Sequence, residues 1–292
     1  MSAEVTSTTA AAPEKPPRRP MSLQLKVGLF ITGTMVLLGI LAPWIAPHPW
    51  DTISMRTRFL PPNATYWLGT DEYGRDVLSR LLMGARLSIA MGVSATLVSL
   101  AIGVPMGLAA GYFRGWTDEI LMRIADVLMA IPAIMLGLLV LAVTPPSLWK
   151  TALAVGFVYI PLIARIARSV TLTLANEEFI QAAKARSESH WYILFREILP
   201  NAWPPLLVEA SLRVTYAILL GSALSFLGLG AQPPSSDWGL MISEARSFID
   251  RAPWIALAPG IAMCVLVIGI NLLGDGARER LDPRLKARIG KR

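Results

Sequence analysis

The chain holds two histidines, His48 and His190, and a single cysteine, Cys264. Neither histidine has a second one at ligand spacing, and a lone cysteine supports no internal disulfide and no Cys-based metal site. Cys264 lies in an apolar run, where a small buried thiol is expected. The sequence contains no G-x-x-x-x-G-K-[ST] phosphate loop, no H-E-x-x-H and no G-x-S-x-G. Leu227-Gly228-Leu229-Gly230 superficially suggests a dinucleotide loop. No βαβ unit surrounds it, and it reads as the exit of a membrane span. No catalytic, cofactor-binding or metal residue is therefore assigned. The remaining candidates are charges inside apolar runs. An unpaired acid at mid-bilayer costs about 2.5–3.5 kcal/mol on insertion scales, so partners are expected. Arg123 and Asp126 stand at i, i+3, and Glu209 and Arg213 stand at i, i+4. Such pairs either tie helices near the inner membrane edge or line an inner gate. Each acid has a basic neighbour, which disfavours a proton relay.

A second candidate is a polar stretch between two apolar runs. Asn176-Glu177-Glu178 makes a helix start, with Asn able to cap and two acids at the positive end of the helix dipole. Gln181-Ala182-Ala183-Lys184-Ala185-Arg186 continues it, and small alanines permit close approach of another protein. Ser187-Glu188-Ser189 breaks this helix and caps a second one through Trp191, Tyr192, Ile193 and Phe195, ended by Pro200. The alternative is an amphipathic helix lying on lipid.

The elements that must position these residues follow from composition. The 292 residues are 54% hydrophobic and 16% charged, with mean hydropathy +0.52. Soluble domains carry about 25% charged residues, so lipid is the expected solvent. The net charge of +7 and pI near 9.9 raise nucleic-acid binding. The basic residues sit in gaps between apolar runs, as membrane topology places them, and no nucleic-acid partner is expected. The chain reads as all-α and polytopic. A disordered cytoplasmic tail covers 1–24, a first transmembrane helix 25–47 and an outer polar segment 48–85. A membrane core covers 86–275 and a basic cytoplasmic tail 276–292. Spans are expected near 25–46, 87–110, 120–143, 151–166, 206–227 and 254–273, with Pro132 kinking the third. A long inner loop, roughly 165–204, lies between the fourth and fifth. Lys and Arg concentrate in the segments that this arrangement places inside, which predicts both termini in the cytoplasm. The first twenty residues lack the apolar core of a signal peptide.

Glu178-Phe179-Ile180-Gln181-Ala182-Ala183, followed by Ile198-Leu199-Pro200-Asn201, resembles the EAA loop of ABC importer permeases. Gln181 stands in place of the nominal Glu, and Ser187 where that family usually has Gly. Serine can cap but resists a positive φ. Three further stretches resemble the dipeptide/oligopeptide/nickel branch. They are Leu68-Gly69-Thr70-Asp71-Glu72-Tyr73-Gly74-Arg75-Asp76, Leu224-Ser225-Phe226-Leu227-Gly228-Leu229-Gly230 with Gln232-Pro233-Pro234, and Gly274-Asp275-Gly276 with Leu281-Asp282-Pro283-Arg284. Their order is similar to that of the second permease of such systems. Gly221-Ser222 departs from the acidic residue often found there.

The resemblance implies a type I ABC importer permease fold with six transmembrane helices in a bacterial plasma (inner) membrane. It implies a loop over 176–201 that couples to ATPase subunits through Glu178, Gln181, Ala182, Ala183, Ser187, Leu199 and Pro200. It makes Gly69, Thr70, Asp71, Gly74, Arg75 and Asp76 an outer family signature. The implied partners are a homologous second permease, two ATP-binding subunits carrying ATP and Mg, and an extracytoplasmic solute-binding protein. The implied cargo is a peptide or related small solute. An ion-driven secondary transporter is the alternative; it predicts unpaired membrane acids and inverted repeats.

Overall fold

The computed structural model describes residues 21–143 and 145–281. Most of the expected N-terminal tail, and the basic end from 282 onward with Asp282-Pro283-Arg284, lie outside the described residues. The described residues form helices joined by turns, with one isolated bridge between Thr70 and Asp76.

Helix α1 (Leu23–Ile45) opens on Ser22, whose hydroxyl accepts from Leu25 N. Leu29, Phe30, Leu37 and Ile40 are exposed along it, which suits a lipid-facing helix. Helix α2 (Val77–Phe113) starts ten residues before the expected span, because Asp76 accepts from Ser79 N at 3.0 Å and caps it. At 37 residues it is about 55 Å long, longer than the hydrocarbon core. Its first turns therefore extend beyond the length a membrane crossing needs.

The expected third span is two helices, α3 (Gly115–Met129) and α4 (Ala133–Leu141), bent by 91°. Pro132 precedes α4 and has no amide proton to continue the α3 ladder. Helix α5 (Leu148–Leu174) runs well past the expected end at 166, so Arg165 and Arg168 belong to a helix and not to a loop. After it come α6 (Glu178–Ala185), the single turn α7 (His190–Tyr192), a π-helical turn (Ile193–Ile198) and α8 (Leu199–Phe226). The chain is helical without a break from His190 to Phe226. Pro200 therefore ends nothing. It sits where the π-helical turn runs into α8, and the helix continues past it although proline supplies no amide proton to the preceding turn. Helix α9 (Trp238–Ala245) lies between α8 and α10 (Trp254–Leu281). Among the described residues, five helices are long and apolar enough to cross a membrane, and the bent α3–α4 pair makes a sixth crossing if it is one span.

Packing is closest between α2 and α5. Gly103, Gly107 and Gly111 form a stripe on α2 against Ile160–Thr171 of α5. A Cβ on Gly107 would lie 2.3 Å from the Ala164 carbonyl oxygen. Four-residue glycine spacing lets two backbones touch where lipid supplies no hydrophobic drive. Cys264 is exposed on α10, against the expectation of a buried thiol. It shares the outward side of α10 with Leu257, Ile261 and Ile268, while Ala262 and Leu266 face the core.

Candidate functional site

The stretch that resembles the EAA loop shares one apolar cluster with residues of α2, α5, the π-helical turn and α8. Ile180 and Ala183 of α6 are fully buried and pack with Val104, Leu108, Ile163 and Ile198. The opposite face leaves Glu178, Gln181 and Ala182 exposed. Ala183 therefore serves this chain's own core, and its expected place among outward contact residues is corrected. Helix α6 packs chiefly against the π-helical turn Ile193–Ile198, which closes the apolar cluster over Ala183. Asn176 does not cap α6; Glu177 holds that position without a side-chain bond. Asn176 accepts instead from Arg114 Nη2 at 3.1 Å, and Gln181 donates to the Ala175 carbonyl at 3.1 Å.

Helix α6 ends in a Schellman motif. Ser187 N donates to Lys184 O at 2.9 Å and Glu188 N to Ala183 O at 3.2 Å, with Ser187 at φ +58°. Serine thus adopts the left-handed conformation that glycine takes freely. Ser189 then caps Tyr192 N at 3.2 Å. Leu199 is half-buried against the same core, and Pro200 is exposed. The α2–α3 turn is fixed to this loop by Tyr112 Oη against His190 Nδ1 at 2.9 Å.

The ion pairs differ in part from expectation. Glu209 and Arg213 do pair, at 2.5 and 2.7 Å. Arg123 and Asp126 do not. Arg123 reaches Glu119 at 3.8 Å with both groups exposed, whereas Asp126 accepts from Arg165 Nη2 at 2.6 Å. A bidentate bridge, Arg168 to Asp118 at 2.5 Å, joins the same two helices. Rotation of α3 against α5 decided these partners, and an i, i+3 rule within one helix cannot see it. The bridges line an open cleft of about 650 Å³ between α3 and α5.

The outer signature closes a buried charge cluster. Gly69 and Gly74 both take positive φ, which shapes the turn. Asp71 accepts from Tyr73 N and Arg75 N at 2.9 Å, and from Arg75 Nε and Arg80 Nη1 at 2.6 Å. Thr70 is buried; its hydroxyl donates to the Thr57 carbonyl, and its own carbonyl accepts from Trp254 Nε1 at 3.2 Å. Glu244 of α9 takes both arginines, at 3.1 and 2.8 Å. Glu72 is pushed above its ordinary value, chiefly by burial and then by the nearby Asp71 charge. Asp237, the cap of α9, is raised by burial as well. The sequence offered no signal for Glu244, 169 residues from Arg75. Among the described residues no group of three or more His, Cys, Asp or Glu could hold a metal ion.

Residues 103–287 match the family model of the binding-protein-dependent transport system inner membrane component. The chain belongs to that family. Residues 26–62 of this inner membrane component also match the N-terminal transmembrane domain of oligopeptide transport permease C. It is 41% identical over 261 residues to the dipeptide transport system permease protein DppC of Alkalihalophilus pseudofirmus, covering 89% of this chain and 86% of the relative. The glutathione transport system permease protein GsiD of Pectobacterium atrosepticum is also 41% identical, with the same coverage. In fold it is similar to a chain of the MetNI methionine ABC transporter in an inward-facing conformation. The TM-score is 0.60 at 18% identity, covering 70% of this chain and 97% of that one. The architecture is thus that of a type I ABC importer permease. Family membership gives no support to an ion-driven secondary transporter.

Proposed function

We propose that this chain is one of two homologous permeases of an ATP-driven importer in a bacterial plasma (inner) membrane. A second, related permease completes the pathway. Two ATP-binding subunits, carrying ATP and Mg, drive it from the cytoplasm, and an extracytoplasmic solute-binding protein delivers the cargo. Both termini are cytoplasmic. Residues 25–47 and 48–85 form the first span and an outer segment, and 86–275 form the permease core. The chain binds no cofactor of its own and performs no hydrolysis. The cargo is a short peptide or related small solute; the names of its relatives cite a dipeptide and glutathione, both of which carry a free carboxylate.

One observation carries this reading. Helix α6 is clamped on one side by Ile180 and Ala183 while Glu178, Gln181 and Ala182 stay exposed on the other. A rigid short helix with a small-residue outer face is what a lever needs: it can enter another protein's groove and pass displacement to α2 and α5. A lipid-resting helix predicts a mostly apolar outer face; α6 exposes Glu178, Gln181 and Lys184 beside Ala182 and Ala185, with Phe179 its one exposed large apolar side chain.

The test is Ala182→Asp. Burying an unpaired charge in an interface costs about 2–5 kcal/mol, so co-purification of the ATP-binding subunits should be lost while membrane insertion is kept. Normal assembly and uptake would place the docking surface elsewhere. Ala183→Asp is the poorer test, because it disrupts the chain's own core first.

A further inference from the structure

Arg213 is the fifteenth of the 28 residues of α8, and Tyr159 the twelfth of the 27 of α5. Both helices are long and apolar enough to cross a membrane, and both residues lie more than two turns from either end of their helix. The face of α8 turned to the rest of the chain carries Leu206, Thr215, Ala217 and Ile218, all buried. Arg213 and Glu209 lie at the edge of that face, with side chains 11% and 16% exposed, and Tyr216 beyond them is 49% exposed. An arginine within a membrane-crossing helix is costly against lipid, and such side chains face the bundle interior or a water-filled cavity.

The geometry around Arg213 is built. Its carbon Cζ lies 5.6 Å from the Tyr159 ring centre and 5.1 Å from that of Tyr216. Tyr159 Oη donates to the Tyr216 carbonyl at 3.3 Å, which fixes one ring. Nε and Nη2 both donate to the same oxygen, Glu209 Oε1. That contact uses the side-on edge of the guanidinium. Nη1 has no partner among the described residues and is not a buried atom. The end-on Nη1–Nη2 edge therefore remains for a planar anion, the fork that matches a carboxylate.

We propose that Arg213 is a solute-contacting residue of the translocation pathway, receiving the solute's free carboxylate on its Nη1–Nη2 edge. Tyr159 and Tyr216 hold the guanidinium plane, and Glu209 positions it. Glu209 also cancels its charge, which keeps the contact weak enough for the solute to leave, as a conducting site must. This assignment rests on the reading of the chain as a peptide importer.

Two measurements test it. In proteoliposomes holding the full transporter with its binding protein, the wild type should accumulate alanylalanine on ATP addition. Absence of uptake overturns the peptide reading and this assignment with it. Saturation-transfer NMR on the transporter in nanodiscs, without the binding protein, then compares alanylalanine with alanylalanine amide. Loss of a charge-assisted fork corresponds to about a tenfold preference for the acid. That preference should disappear in R213Q/E209Q, which leaves no orphan charge, and in R213K, which keeps a charge but lacks the fork. Leu219→Ala, exposed on the same helix, should retain it. Equal binding of acid and amide by the wild type, or an unchanged preference in both Arg213 variants, overturns the assignment. So does loss of the second permease from the variant complexes, which would make the pair an interface contact.

Discussion

At Ser187 the chain accepts backbone strain to close the coupling loop. A non-glycine residue in the left-handed region costs about 1–2 kcal/mol, yet both Schellman hydrogen bonds form there. Ser187→Gly should therefore raise the protection of the 183–189 amides against hydrogen exchange, by about 1 kcal/mol, and Ser187→Val should lower it. A second expectation concerns Asp71 and Glu72, adjacent acids with opposite roles. Asp71 faces two buried arginines, so Asp71→Asn should destabilise by about 3–5 kcal/mol. Glu72 has its folded value raised by burial. The folded state then holds this proton more tightly than the unfolded one. Its contribution to stability is present below the ordinary carboxylate value and is lost as pH rises through the raised value. Glu72→Gln should remove that loss. Thermal unfolding of the variant relative to the wild type should therefore improve from acid to neutral pH, and an opposite slope would contradict the stated cause.

Between elements, the α2–α5 seam sets the frame from which everything else is displaced. Its glycine stripe leaves no room for a methyl group, since the Cβ of an alanine at 107 would meet a main-chain oxygen. Gly107→Ala should cost about 1–3 kcal/mol through overpacking, seen as a lower midpoint in detergent thermal unfolding. Because Ile163 and Ala167 of that seam also hold Ile180 and Ala183, the same variant should loosen the coupling loop, read as faster exchange of the α6 amides. The short link between α2 and α3 belongs to the same unit. It is tied to the loop through Tyr112 and Arg114, and α3 is tied to α5 through Asp118 and Asp126. A displacement of α6 thus reaches the α3–α5 cleft through side-chain contacts as well as through the main chain.

For the whole molecule, the paired charges fall into three groups: the cluster of Asp71, Arg75, Arg80 and Glu244, the Glu209–Arg213 pair, and the bridges of the α3–α5 cleft. The topology proposed above puts the first outside and the last inside. Single cysteines at Asn63 and Ser189, both exposed, test this on a Cys264→Ala background, needed because Cys264 is itself exposed. A membrane-impermeant thiol reagent added to intact cells should label Asn63→Cys and spare Ser189→Cys. The reverse pattern would invert the arrangement.

The class of the protein was legible in its one-dimensional pattern. Long apolar runs, basic gaps and the stretches 69–76, 178–183 and 224–230 need no partner in space to be recognised, because hydropathy and local turn chemistry act over a few residues. The Glu209–Arg213 pair was legible for the same reason, being one helical turn of a single helix. Partners between helices were not. Asp126 chose Arg165 of α5 over Arg123, and Arg75 found Glu244 of α9, because helix rotation and crossing decide which side chains meet. Nor could the pattern say which alanine of α6 faces out: Ala182 and Ala183 are neighbours of one type, about 100° apart around the helix. Only the packing of α6 against the π-helical turn and the apolar cluster it joins buries Ala183 and leaves Ala182 exposed.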